Sequence, residues 1–180
     1  SGKTAKYLAL NAFYRGADVE IWYGSGTEKI PEFIKKIDFF TSEDLIKIIS
    51  KTNFEKFDYI FLCAAISDYM PKKRNGKIKS GKKNLKIEFK PTEKIIKNIR
   101  KKAKKVKIIG FKAEENDKNI KDNCLKLLKN NDLDFVIGNN IKAFSKSKNK
   151  ICIIDKKGII ISKEDSKKHL TNYILDNVKK

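Results

Sequence analysis

Apolar residues along this chain recur in two alternating patterns, one with the spacing of an amphipathic helix and one with the continuous runs of a buried strand. In the first third, KTAKYLALNAFYRG predicts a helix ending at Gly16, ADVEIWYG a strand, and SEDLIKIISK a helix capped by Thr41 or Ser42. DYIFLCAA, residues 58–65, is apolar throughout, which is typical of a strand covered on both faces.

The second half of the chain repeats the alternation. LKIEF, VKIIGF and DFVIGN predict strands, while TEKIIKNIRKKAKK, capped by Thr92, and NIKDNCLKLLKNN predict helices. KICIIDKKGIIIS predicts a hairpin turning at Lys157 and Gly158, and KEDSKKHLTNYILDNV a closing helix. Strands that alternate with helices favour right-handed crossovers. We therefore expect an α/β fold, a Rossmann-like three-layer sandwich whose sheet is mostly parallel, with a β-hairpin near one edge.

The opening SGKT, residues 1–4, indicates that a helix begins with no strand before it, so we expect the domain to lack its first strand. SGKT also resembles the end of the phosphate-binding loop G-x-x-x-x-G-K-[ST], but the upstream glycine and strand are missing, which disfavours a P-loop NTPase. Ligands of open parallel sheets bind beyond the carboxyl ends of the strands. The predicted site therefore lies at the ends of DYIFLCAA, VKIIGF and DFVIGN and at the lysine-rich stretch that follows the first of them.

The composition fits one soluble domain. The 180 residues contain 40% hydrophobic residues, no apolar run long enough for a membrane helix, and no signal-peptide layout, so we expect a cytoplasmic protein without a membrane partner. Cys63, Cys124 and Cys152 are scattered, which supports neither a disulfide framework nor a zinc site. The single histidine, His169, has no second imidazole with which to share a metal. We expect no metal site made by the protein alone.

The formal charge of +20 first suggests nucleic acid as a partner. Only Arg15, Arg74 and Arg100 are arginine, however, and lysine is spread over nearly every segment, whereas nucleic-acid readers concentrate charge and favour arginine. A nucleic-acid-binding module is therefore the disfavoured non-enzymatic alternative. A dinucleotide-dependent reductase is the second alternative, although no G-x-G-x-x-G follows a strand. Such a positive field attracts any polyanion, including a nucleoside triphosphate.

Six segments carry a family resemblance: SGK with the following YRGADVEIWYGSG, then AAISDYMP, KIKS, KPTE, GFKAE and DLDFVIGNN. In this order they resemble the motifs of the phosphopantothenate-cysteine ligase family, often the C-terminal half of a bifunctional coenzyme A biosynthesis flavoprotein. The resemblance covers nearly the whole chain. Residues 1–180 are thereby identified as a ligase domain of this family that is incomplete at its N-terminus.

The resemblance implies a two-step reaction in coenzyme A biosynthesis. The carboxylate of 4'-phosphopantothenate attacks the α-phosphate of CTP to give an acyl-cytidylate and pyrophosphate, and the amine of cysteine then displaces CMP. Mg²⁺ arrives on CTP. The lysine-rich flap and the composition favour CTP over the ATP used by eukaryotic members, although the residues alone leave that choice open. The resemblance also implies a homodimer, and a fused or associated phosphopantothenoylcysteine decarboxylase domain, with FMN, outside this chain.

The resemblance assigns Lys77 to the family's catalytic flap lysine. Its ammonium group would stabilise the charge that builds on the α-phosphoryl oxygens; the alternative is a solvated loop lysine. The other residues that the resemblance assigns to substrate or nucleotide binding are Cys63, Ala64, Ala65, Asp68, Lys79, Lys90, Pro91, Thr92, Glu93, Phe111, Lys126 and Lys129. The family's next flap lysine is replaced here by Ser80.

Several of these assignments have a structural alternative. Asp68 would bind the base or ribose of the nucleotide, or else cap a turn, and Phe111 would stack on the cytosine ring, or else belong to the core. Lys126 and Lys129 share a helix face, although the family spacing is four residues, so Asn130 competes with Lys129. Asn139 either bridges strand ends or contacts substrate.

The largest departure from the family is at the front of the chain. The family's first strand, its glycine-rich turn and the asparagine of N-x-S-S-G-K are absent. That asparagine is implicated in the attack of cysteine on the cytidylate. We therefore expect residues 1–180 alone to be impaired in amide formation.

Overall fold

The computed structural model describes residues 1–73, 75–78, 80–81, 83–115, 117–140, 149–158 and 160–179. The helices are α1 (Lys3–Phe13), α2 (Ser42–Lys51), α3 (Ile95–Lys102), α4 (Asp117–Asn130) and α5 (Lys167–Asn177). The strands are β1 (Glu20–Tyr23), β2 (Lys35–Asp38), β3 (Tyr59–Leu62), β4 (Tyr69–Pro71), β5 (Phe89–Pro91), β6 (Lys107–Glu114), β7 (Phe135–Asn140), β8 (Asn149–Asp155) and β9 (Ile160–Asp165). No helix within these ranges is long and apolar enough to cross a membrane.

The strands form one five-stranded sheet with the order β3-β6-β7-β8-β9 and two smaller sheets. β3, β6 and β7 are parallel, and the antiparallel hairpin β8-β9 completes one edge. β1 and β2 form a separate parallel pair, while β4 and β5 form an antiparallel ribbon. The predicted α/β fold, with parallel strands and an edge hairpin, is confirmed.

Helices cover both faces of the five-stranded sheet. Ile108 of β6 and Val136 of β7 pack against α2, α3 and α4, whereas their neighbours Ile109 and Ile137 pack against α1 and α5. Successive side chains of a strand point to opposite faces, so these strands are apolar on both faces, as the continuous apolar runs predicted.

Three local predictions need correction. β3 is shorter than predicted and not covered on all sides, because Tyr59 is exposed and Ile60, Phe61 and Leu62 are only partly buried. LKIEF is not a strand over its length, since β5 begins only at Phe89. Thr92 does not cap a helix: α3 begins at Ile95, and its N-cap residue makes no side-chain hydrogen bond. Thr41, by contrast, caps α2 as predicted, with a capping box to Asp44.

β1 begins at a buried carboxylate that is satisfied on both oxygens. The Glu20 side chain is only 8% exposed; its Oε2 lies 2.6 Å from Lys35 Nζ, and its Oε1 accepts the indole N–H of Trp22 at 2.7 Å. Burial alone would raise the pKa of Glu20, but the hydrogen bonds from Lys35 and Trp22 and the charge of Lys56 outweigh it and lower the pKa below its usual 4.5. The ionised form therefore stabilises the fold.

The contribution of the Glu20 carboxylate to the free energy of unfolding is expected to depend on pH. A group whose pKa is lowered by folding contributes stability above its unfolded-state pKa and loses it as the pH falls through the folded-state pKa. The stability difference between the wild-type chain and Glu20→Gln should therefore be constant above about pH 5 and shrink below about pH 4.3. Urea unfolding followed by the fluorescence of Trp22, the only tryptophan, measures it. A difference that stays constant down to about pH 3 would contradict the assignment.

Candidate functional site

A cavity of about 1970 Å³ lies between β1 and β3, and its lining includes residues at the carboxyl ends of these strands. Its lining at that end comes from five segments of the chain that are far apart in sequence: residues 1–4, 24–26, 63–69 and 92–94, and Phe111 of β6. The seven predicted residues that it gathers are Cys63, Ala64, Ala65, Asp68, Thr92, Glu93 and Phe111. Their binding roles remain predictions, but the fold brings them to one place.

The segment after β3 presents small residues and a carboxylate. Ala64, Ala65 and Asp68 are exposed, and the backbone carbonyl of Asp68 accepts the N–H of Thr92 at 2.8 Å, which ties this segment to the one ahead of α3. Within the described ranges, the Asp68 carboxylate has no hydrogen-bond or ion-pair partner. It is therefore available to a ligand. Burial raises the pKa of the Cys63 thiol to about 12, so Cys63 stays protonated and is not a nucleophile.

Thr92 carries a buried hydroxyl that the protein does not satisfy. Its Oγ1 is inaccessible to solvent and has no hydrogen-bond partner among the described residues. Leaving a buried polar group unpaired costs about 1–3 kcal/mol, so such a group usually has a partner that the protein itself does not supply. Thr92 lines the cavity, so a small shift of its side chain would present this hydroxyl to a ligand. The neighbouring Glu93 carboxylate already has a hydrogen-bond partner, since it accepts the side-chain amide N–H of Asn98 at 2.7 Å.

Phe111 belongs to the core and also lines the cavity, while its predicted stacking on the cytosine ring remains a prediction. Its ring is partly buried against the side chains that α1 and α5 contribute to the core, and it also lines the cavity beside Cys63. The core contact fixes the ring, and a fixed ring is a suitable surface for stacking a planar base.

The flap, residues 72–88, connects the two strands of the ribbon β4-β5. Its base is held by the ion pair between Lys72 and Glu88, and by Lys73 Nζ, which lies 2.9 Å from Glu43 Oε2 at the start of α2. Lys77 is exposed and does not line the cavity. In this conformation Lys77 is thus a solvated lysine beside the site, and its catalytic role remains a prediction. Lys79 lies outside the described residues.

The remaining predicted residues do not line the cavity. Lys90 and Pro91 are exposed on β5. Lys126 and Lys129 are exposed on the later turns of α4, toward the amino end of β7, whereas the predicted site lies at the carboxyl ends of the strands. The structure does not bring them together with the cavity residues, so their contact with nucleotide remains a prediction. Asn139 lies in the β7 ladder, paired with Ala113 and Ile151.

Tyr23, the last residue of β1, holds together segments that line the cavity at the carboxyl end of this strand. This role was not predicted from the sequence. Its hydroxyl accepts the N–H of Glu28 and lies 2.9 Å from the Glu28 carbonyl and 3.2 Å from that of Ser1. A Cβ on Gly2 or Gly26 would come within 2.7 Å or 2.3 Å of this side chain, so both positions require glycine. The tyrosine of YGSG, between a predicted strand and two glycines, was the available signal.

No group of three or more His, Cys, Asp or Glu side chains that could hold a metal ion occurs in the part of the chain that the structure describes. The positive charge around the cavity comes mainly from lysines, among them Lys3, Lys94 and Lys167.

Comparison with known proteins identifies the family of this chain. Residues 1–180 match the family described as DFP, the DNA/pantothenate metabolism flavoprotein C-terminal domain. The chain is 36% identical over 178 residues to the Coenzyme A biosynthesis bifunctional protein CoaBC of Borreliella burgdorferi, covering 97% of this chain and 45% of that protein. It therefore spans about half the length of the curated relatives it matches.

Two solved structures share the fold. The DNA/Pantothenate Metabolism Flavoprotein from Streptococcus pneumoniae has a TM-score of 0.84 at 17% identity, covering 99% of this chain and 87% of that chain. A mutant of Cab2 in complex with phosphopantothenate-cysteine has a TM-score of 0.77 at 14% identity, covering 99% of this chain and 78% of the other. At these identities the likeness shows the fold alone.

Proposed function

Because this chain belongs to the DNA/pantothenate metabolism flavoprotein C-terminal domain family, in which its motifs place it among the phosphopantothenate-cysteine ligases, we propose that it joins cysteine to 4'-phosphopantothenate at the expense of CTP. Three curated relatives are coenzyme A biosynthesis bifunctional proteins. The solved complex of a similar fold with phosphopantothenate-cysteine supports the product. Residues 1–180 are, on this proposal, the ligase domain of a longer polypeptide.

The reaction has two group transfers. A carboxylate oxygen of 4'-phosphopantothenate attacks the α-phosphorus of CTP; the new P–O bond forms as the bond to the bridging oxygen breaks, and pyrophosphate leaves. The amine of cysteine then attacks the acyl carbon of the cytidylate, the C–N bond forms, and CMP leaves while the nitrogen loses a proton to solvent. Both steps place negative charge on the α-phosphoryl group.

Each group that lines the cavity at the carboxyl ends of the strands has a role in this proposal. Ala64 and Ala65 leave the backbone open to close approach, Asp68 accepts hydrogen bonds from the ribose or the base, and Phe111 stacks on the cytosine. Lys77, carried by the flap, approaches the α-phosphate and stabilises its charge. The observation that carries the proposal is that Thr92, whose buried hydroxyl has no partner among the described residues, lines the same cavity as residues 64–69 of the family motif.

The other components follow from the family. Mg²⁺ is brought by the triphosphate, since it prefers phosphate oxygens and water to an all-protein cage. An FMN-dependent decarboxylase domain accompanies the ligase outside residues 1–180, and the protein works in the cytoplasm. We propose a homodimer interface at the ribbon and flap, where Tyr69, Ile78, Leu85 and Phe89 are exposed, because the isoleucines of β8 are buried in this chain's own core. A monomer at micromolar concentration in sedimentation would contradict the dimer.

Pyrophosphate release tests the proposed chemistry. The protein is incubated with Mg²⁺ and either CTP or ATP, each with and without 4'-phosphopantothenate. We expect release that requires 4'-phosphopantothenate and is faster with CTP. Release that is independent of 4'-phosphopantothenate, or none with either nucleotide, would overturn the proposal.

Thr92→Val is expected to weaken CTP binding about tenfold without lowering stability, because valine keeps the shape and removes a hydroxyl that has no protein partner among the described residues. Calorimetric titration with CTP and urea unfolding measure the two effects.

Thr52→Val is the matched control, since the Thr52 hydroxyl donates to the Ile48 carbonyl at 2.7 Å at the end of α2. It should lose about 1 kcal/mol of stability and keep its affinity for CTP. If Thr92→Val is destabilised like Thr52→Val while binding CTP normally, the hydroxyl of Thr92 has no part in binding.

A further inference from the structure

The flap contains the only Asn-Gly pair of the chain, Asn75 and Gly76, directly before Lys77. In such a pair the backbone nitrogen of the glycine is unusually free to attack the asparagine side chain, because glycine has no side chain that would shield its nitrogen. Asparagine is for this kind of reason one of the thermolabile residues that heat-adapted proteins contain less often. The sequence therefore marks Asn75 as a position where the chain can modify itself.

The structure leaves the Asn75 side chain unrestrained. Asn75 is exposed, and among the residues that the structure describes its side chain has no hydrogen-bond partner. The contacts that hold the flap lie ahead of it, where Lys73 Nζ is 2.9 Å from Glu43 Oε2 and Lys72 pairs with Glu88. These contacts fix the base of the flap and leave the amide of Asn75 free to turn toward its own backbone.

Gly76 is open on the side where a side chain would stand. Its φ of 88° lies in the left-handed region, which glycine adopts without strain, and a Cβ built on it would meet no heavy atom within 4 Å beyond its own chain neighbours. Lys77, the next residue, is exposed too, and its positive charge favours the anionic form of the Gly76 nitrogen. That anionic nitrogen is the form that attacks a carbonyl carbon.

We propose that Asn75 is a site of spontaneous deamidation, with the Gly76 backbone nitrogen as the nucleophile. This nitrogen loses its proton to solvent and forms a bond to Cγ of Asn75, which closes a cyclic succinimide. The bond from Cγ to Nδ2 breaks, and the nitrogen takes up a proton and leaves as ammonia. Water then opens the ring at either carbonyl, giving aspartate or isoaspartate. The sequence of steps consumes only water, so no oxidant or cofactor is required.

Both products change the flap beside Lys77. Aspartate adds a negative charge to the segment that would approach a triphosphate, and it gives Lys77 a competing partner. Isoaspartate also lengthens the backbone, and a displacement of a catalytic group by about 1 Å can lower a rate on the order of a hundredfold. The modification itself does not depend on the proposed function, whereas its effect on catalysis rests on the proposed role of Lys77.

Asn84 is the internal control for Asn75. It lies in the same flap and is exposed, but the next residue is Leu85, whose side chain hinders attack by its own backbone nitrogen. Cleavage after glutamate releases residues 56–88 as one peptide that carries both asparagines. Their amides can therefore be compared in a single mass spectrum.

Storage of the full polypeptide in neutral buffer for days, with samples taken at intervals, tests the inference. We expect the 56–88 peptide to gain the mass that replacing NH₂ by OH produces, with fragment ions that place the change at Asn75. The reaction should be about tenfold or more faster at Asn75 than at Asn84. An isoaspartate-specific methyltransferase should label the stored protein at residue 75. If Asn75 keeps its amide as long as Asn84 does, the proposed site does not exist.

Asn75→Gln separates the effect on catalysis from general ageing of the protein. Glutamine keeps an amide at this position but closes the corresponding larger ring much more slowly. Its rate of pyrophosphate release should match that of fresh wild-type protein and stay constant in storage, while the wild-type rate falls in step with the modified fraction. Equal rates for the two stored proteins, with Asn75 modified, would overturn the effect on catalysis. Fresh protein without ligase activity would contradict the proposed function, and the mass spectrum would still decide whether Asn75 is modified.

Discussion

Replacing Lys77 with glutamine is expected to lower the rate of pyrophosphate release from CTP about a hundredfold or more, with little change in the KM for CTP. The physical reason is that an ammonium group placed over the α-phosphate stabilises charge that develops in the transition state, and removing one such donor typically lowers kcat by 10²–10³. Glutamine keeps the length of the side chain and removes the charge. Steady-state kinetics at saturating 4'-phosphopantothenate measure the effect.

Lys83→Gln is the matched control for Lys77→Gln. Lys83 lies in the same flap, is exposed like Lys77, and does not line the cavity. If general positive charge on the flap attracts the triphosphate, both variants should show the same modest rise in KM, and both effects should fade with added salt. Equal behaviour of the two variants would refute a specific role for Lys77, which in this conformation points to solvent.

Replacing Gly138 with alanine is expected to lower the free energy of unfolding by about 2–3 kcal/mol. A Cβ at this position of β7 would lie 2.6 Å from Ile120, 2.7 Å from the Cys152 sulfur and 2.8 Å from the Cys124 sulfur. The two thiols meet above the glycine, and their hydrogen bond, with burial, raises the pKa of Cys124. Close-packed interiors resist an added methyl group because side chains must leave their rotamers.

Two variants make the Gly138 prediction specific. Gly110→Ala on β6 should cost less, because its Cβ meets chiefly one methyl of Leu133, at 2.7 Å, and a leucine side chain can turn. In a Cys124→Ala, Cys152→Ala background, adding Gly138→Ala should cost less than in the wild-type chain, since two of the three contacts are gone. Urea unfolding measures all of these. If Gly138→Ala lowers the free energy of unfolding equally in the wild-type chain and in the Cys124→Ala, Cys152→Ala chain, contacts other than those with the two sulfurs cause the strain.

The sequence predicted the buried strands and the helices better than the short exposed strands. VKIIGF and DFVIGN have continuous apolar runs that fit β6 and β7, which are buried on both faces. β2 is mostly exposed, and its four residues, KKID, include only one apolar side chain, so no hydrophobic period marks it. DYIFLCAA has the same apolar pattern as a covered strand, although β3 is only partly buried. An apolar run predicts a strand, but it does not show how much of that strand its neighbours cover.

The candidate site was predictable where its residues follow strand ends. Asp68 and Phe111 meet because β3 and β6 are neighbouring parallel strands whose carboxyl ends share one edge of the sheet. Thr92 reaches the same place through the antiparallel ribbon β4-β5, next to which its N–H donates to the Asp68 carbonyl. Helical spacing placed Lys126 and Lys129 on one face of α4, but it does not say which end of the helix approaches the cavity. Tyr23 was missed because its role depends on contacts with Ser1 and Glu28 that only the folded chain creates.

A crystal structure of the full polypeptide with Mg²⁺ and CTP would locate the nucleotide. The expected structure has the cytosine against Phe111, a hydroxyl or base atom within hydrogen-bond distance of Asp68 or Thr92, and Lys77 within about 3 Å of an α-phosphate oxygen. If instead CTP lies on the lysine-covered surface of α3 or α4, with the cavity beside β3 empty and Lys77 still in solvent, this polypeptide does not activate 4'-phosphopantothenate at the site described.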